Sequence, residues 1–76
     1  MNKDRRKRLQ EAIDLIEAAR TIVEECRDEE EEYRDNMPEN LQDSDKYYMA
    51  DEAVDNLTSA LDSLEDVTSP IEEAIG

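Results

Sequence analysis

Carboxylates are the only abundant reactive groups in this chain. Twelve of them crowd residues 28–55: Asp28, Glu29, Glu30, Glu31, Glu32, Asp35, Glu39, Asp43, Asp45, Asp51, Glu52 and Asp55. Paired carboxylates exchange protons or hold cations, but each of those chemistries needs partners that are missing here. The chain has no histidine, the commonest base near neutral pH and the commonest metal ligand. Its one cysteine, Cys26, has no histidine to form a dyad with, and no zinc cluster of ordinary composition can be assembled. Glu-x-x-His pairs, which di-iron bundles require, are absent. Asp43-Ser44-Asp45 has the opening of an EF-hand loop, yet the turn glycine is missing and Val54 stands where the bidentate Glu belongs. The only glycine is Gly76, so there is no glycine-rich phosphate loop. These residues predict a protein that is not an enzyme and that uses no metal or cofactor.

What remains for the carboxylates is recognition. The formal net charge is −14, and within residues 28–55 only Arg34 and Lys46 oppose the acids. Such a field repels DNA, RNA and anionic lipid and attracts a basic protein surface, including one that normally holds nucleic acid. The candidate contact set is an acidic tip of Glu25, Asp28, Glu29, Glu31, Glu32, Asp35, Asp45, Asp51, Glu52 and Asp55, with Tyr48 as an aromatic anchor. Duplex DNA carries one charge per ~1.7 Å, and twelve carboxylates over a tip roughly 20 Å long are of the same order. The plainer reading is a solvated face that keeps an apolar hairpin soluble. A basic head, Lys3, Arg5, Arg6, Lys7 and Arg8, is the other charge feature.

The elements that must position these groups are legible in the apolar spacing. Leu9, Ala12, Ile16, Ala19, Val23, Cys26, Tyr33 and Met37 recur at helical intervals, predicting a helix over 3–35. Pro38 and the polar residues around it predict a turn over 36–43, with Ser44 or Asp43 capping the second helix. Tyr47, Ala50, Val54, Leu57, Leu61, Leu64, Thr68 and Ile71 form the second series, predicting a helix over 44–68. Pro70 then imposes a kink or a fresh short helix over 70–75.

The two series match as an antiparallel hairpin in which facing residue numbers sum to about 80, as in Ile16 with Leu64, Ala19 with Leu61, Val23 with Leu57 and Tyr33 with Tyr47. That register sets the basic head beside Glu72 and Glu73. A second apolar strip flanks the first: Ile13, Leu15, Ala18 and Ile22 on one helix, Ala53, Ala60, Val67, Ala74 and Ile75 on the other. Two helices cannot cover so wide a face, so Ile13, Leu15, Ile22, Ala53, Ala60 and Val67 are the expected strip for self-association or for a partner. The fold class is therefore all-α, a two-helix hairpin expected to dimerise into a four-helix bundle.

At 76 residues the chain is a single small domain. The lone cysteine suits a reducing compartment. The stretch after the basic head is interrupted by Glu11 and Asp14, so it holds no signal-peptide core, and no run is long enough to span a membrane. A cytoplasmic location is expected.

The stretch Glu32-Tyr33-Arg34-Asp35-Asn36-Met37-Pro38-Glu39-Asn40-Leu41-Gln42-Asp43-Ser44 resembles small acidic helical proteins of phages and prophages of Gram-positive bacteria. The opening Met1-Asn2-Lys3-Asp4-Arg5-Arg6-Lys7 and the segment Glu52-Ala53-Val54-Asp55-Asn56-Leu57 add to the likeness. The resemblance implies a phage setting inside an infected or lysogenic host. Short, acidic, non-enzymatic phage proteins are often inhibitors of host defence, including anti-CRISPR proteins and DNA mimics, and by analogy that role is expected here.

Overall fold

The computed structural model describes all residues 1–76 and shows two long helices packed side by side. Helix α1 spans Lys3–Asp35, a single 3₁₀ turn covers Glu39–Leu41, and helix α2 spans Asp45–Ile75. The molecule is a rod of 60 × 15 × 13 Å. Asn2 starts α1 by accepting the Arg5 N–H at 2.8 Å, and Ser44 starts α2 by accepting the Tyr47 N–H at 3.4 Å. Each cap satisfies an amide that the first helical turn leaves without a backbone partner.

Helix α2 runs unbroken through Pro70 to Ile75, so of the two outcomes expected there, a kink or a fresh short helix over 70–75, the separate helix does not form. A proline removes one amide donor, but here the chain on either side stays on the α1 surface. Thr68 and Ile71 are both half-buried there, and that packing outweighs the lost bond.

The hairpin seam differs from expectation on one side only. Helix α2 buries the expected series, with Ala50, Val54 and Leu61 fully enclosed. On α1 the inward positions are Leu9, Ile13, Ile16, Arg20, Val23, Arg27, Glu30 and Arg34. Ala19, Cys26 and Tyr33, expected in the seam, face solvent instead, and Tyr33 does not close the core against Tyr47. Ile13, expected on the outer strip, is only 4% exposed and belongs to the core.

The rotation has a physical basis. The apolar arc of α1 is too wide for one partner helix, so α2 covers one edge of it. Arginine stems extend that edge while their charged heads reach water. The hydrogen bond from Arg34 to Asp51 ties the two helices together near the turn. Lys3, Arg5, Arg6 and Lys7 form no ion pair with Glu72 or Glu73, and Arg8 pairs within its own helix with Asp4 at 3.1 Å. Antiparallel pairing therefore does not depend on the head charges.

Candidate functional site: an acidic face and an apolar face

In an antiparallel helix pair, the residues flanking the seam on one side of each helix meet on one face of the hairpin, and those flanking it on the other side meet on the opposite face. Here the two faces differ sharply. On one, α1 contributes Asp14, Glu17, Thr21, Glu24, Asp28, Glu31 and Asp35, while α2 contributes Tyr48, Asp51, Asp55, Thr58, Asp62, Glu65, Ser69 and Glu72. Eleven of these fifteen are acidic. The carboxylates thus form a face running the length of the rod, which takes in Asp28, Glu31, Asp35, Tyr48, Asp51 and Asp55 of the expected tip, while Glu25, Glu29, Glu32, Asp45 and Glu52 lie outside it.

Beneath that face lie three arginines spaced seven residues apart, Arg20, Arg27 and Arg34, all half-buried at the seam's edge. Arg34 donates to Asp51 at 2.8 Å and to Asp35 at 3.0 Å, and lies 3.9 Å from Glu31. The hydrogen bond to Asp35, reinforced by that to Asp51, holds its guanidinium above the ordinary arginine range, against a smaller opposing effect of desolvation. Arg27 pairs with Asp28 at 3.1 Å. Four members of the expected contact set, Asp28, Glu31, Asp35 and Asp51, are therefore already engaged within the chain. Glu25, Glu29, Glu32, Asp45, Glu52 and Asp55 make no ion pair and are exposed. Tyr48 is exposed as expected and stacks edge-on against Tyr47, ring centres 6.0 Å apart. The arginine ladder is visible in the sequence as a seven-residue repeat, but a pattern of apolar residues does not select it for a seam.

The opposite face carries Ala12, Leu15, Ala19, Ile22 and Cys26 of α1 with Met49, Ala53, Asn56, Ala60, Ser63, Val67, Pro70 and Ala74 of α2. None of these thirteen positions is charged, and the same rows reach charge only at the turn end, at Glu29 and Lys46. Leu15 is 71% exposed and Ile22 60%, large values for branched aliphatic side chains. Of the expected strip, Leu15, Ile22, Ala60 and Val67 are exposed and Ala53 is half-buried.

Toward the turn this face opens into a shallow groove of about 350 Å³ shared by Tyr33, Lys46, Met49 and Ala53. It continues into a larger one of about 780 Å³ lined by Tyr33, Met37, Pro38 and Leu41 and rimmed by Glu29 and Glu32. The pairing of Tyr33 with Tyr47 expected from the spacing would have closed this end of the hairpin; with Tyr33 turned outward it lines the groove instead.

No three acidic or thiol side chains converge as a metal-holding group. No helix is long and apolar enough to cross a membrane. No family model, curated protein or solved structure matches the chain.

Proposed function

We propose that this chain is a non-enzymatic protein-binding module that docks its unpaired carboxylates on a basic, nucleic-acid-handling surface of another protein. The supporting observation is the segregation of charge. Eleven acids share one face, the apolar rows of the opposite face carry only Glu29 at the turn end, and six exposed tip acids lack an internal partner. A folded chain keeps that much like charge on one surface at the expense of its own stability, and the resulting field steers basic partners. In the phage setting implied by the resemblance, such docking would block a host defence protein by occupying its nucleic-acid site.

The test is capture from a Gram-positive lysate on the immobilised chain, with washes over a salt series and competing duplex DNA. The reading expects a nucleic-acid-binding protein that both salt and DNA displace. A variant with Glu25, Glu32, Glu52 and Asp55 changed to Lys should not retain it. A captured partner indifferent to salt, to DNA and to the charge reversal would overturn the reading.

The exposed Leu15 and Ile22 favour a second reading, a homo-oligomeric assembly or chaperone-like module that works through the apolar face. Single apolar residues on a surface are ordinary, whereas a contiguous uncharged face marks an interaction site.

A further inference from the structure

We infer that the apolar face is covered by a second copy of this chain, turned end for end, so that α1 packs on α1 across a two-fold axis near Ala19. The pairing deepens the homo-oligomer reading and does not depend on docking by the acidic face.

The rod exposes enough surface to supply one side of a stable interface. A compact monomer of 8.8 kDa exposes about 4,800 Å². This chain exposes 5776 Å². The excess, about 1,000 Å², is close to what each partner contributes to a stable interface of standard size.

The face is also complementary to itself. An isologous interface needs a patch that matches itself when inverted. Around Ala19 the sequence does so: facing positions sum to about 37–38, which sets Leu15 of each copy against Ile22 of the other. Ala19 meets Ala19, and small residues there let the helix axes come within about 8 Å. On α2 the uncharged strip from Met49 through Ala60 to Ala74 runs alongside, so α2 also finds an apolar mate.

Charge chooses between the two directions of pairing. Two copies side by side in the same direction would bring both carboxylate-rich tips together. Reversed, each acidic tip receives the other copy's basic head. The same register carries Arg5 of the second copy to Tyr33 and its Arg8 to Glu29 and Glu30. It also brings Met1, exposed and apolar, to the groove beside Met37. The groove at the turn is thus completed by the opposite end of the partner.

Sedimentation equilibrium at about 100 µM gives the mass, expected at twice 8.8 kDa. Direction is read by mild oxidation of an Ala19→Cys variant in a Cys26→Ser background. It should crosslink nearly completely, because the two-fold axis brings these Cβ atoms within disulfide reach. A Thr21→Cys control on the acidic side should not crosslink. Native Cys26 should not either, because reversal separates the two thiols by about 20 Å along the rod.

Ile22→Asp should weaken association about 100-fold or more, since the change enters the interface twice. The crosslink keeps the inference testable even where that variant unfolds. A dimer in which Ala19→Cys fails to crosslink would overturn the end-for-end pairing and leave the homo-oligomer reading intact. A monomeric mass would overturn both.

Discussion

The stem of Arg34 lies in the seam with 17% of the side chain exposed, and its guanidinium gathers Glu31, Asp35 and Asp51 from both helices. Arg34→Met keeps the packing of the stem and releases three like charges, so a lower melting temperature is expected. The loss should shrink in 1 M salt, where repulsion between the freed acids is screened. A folded-state pKa raised above the unfolded one stabilises at every pH below the unfolded value, and the effect is lost only as pH rises through the folded value. The wild-type minus variant difference should therefore stay flat from about pH 6 to 10, which melts at several pH values will check. Leu61 belongs to a different class. It is buried in a seam with few other enclosed side chains, and Leu61→Ala should cost about 2–5 kcal/mol in urea unfolding.

Among the elements, α2 is the one whose continuity was in question. Pro70 sits in its final stretch and removes the amide that would bond the Asp66 carbonyl, yet the helix persists to Ile75 because its inward residues remain packed. Pro70→Ala restores the donor and should stabilise by about 1–3 kcal/mol, with a rise in helical ellipticity. A fall in stability would mean that the proline ring itself makes a contact worth more than the bond. In α1 the decisive property is width. Its apolar arc extends from Leu9 and Ile16 in the seam round to Leu15 and Ile22 outside it, and one partner helix can cover only part of that arc.

For the whole molecule, shape and charge work against independent stability. A rod of 60 × 15 × 13 Å has a large surface for its mass, only four residues are fully enclosed, and the net charge of −14 repels itself. Melting temperature should accordingly rise with added sodium chloride up to a few hundred millimolar, as the Debye length falls below the spacing of the carboxylate rows. A melting temperature that falls with salt would show that ion pairs such as Arg34–Asp51 outweigh the repulsion. Melting should also rise with protein concentration, because association and folding are linked in the proposed dimer.

The hairpin, its turn, the Ser44 cap and the whole inward series of α2 were legible in the amino-acid sequence. Each rests on local spacing and on residues with strong backbone preferences. The inward face of α1 was not. Its apolar residues form two adjacent stripes, one through Ile16 and Val23 with Ile13, the other through Leu15, Ala19, Ile22 and Cys26, and spacing alone does not choose between them. The choice fell to packing against α2, where long arginine stems at positions 20, 27 and 34 fill the seam's edge and Arg34 reaches carboxylates on both helices. That rotation buried Ile13, exposed Tyr33 and turned an acidic tip into an acidic face. It also left an uncharged face on the other side. Sequence determines which residues are apolar and how often they recur; only the tertiary contact decides which of two equivalent stripes the partner helix covers.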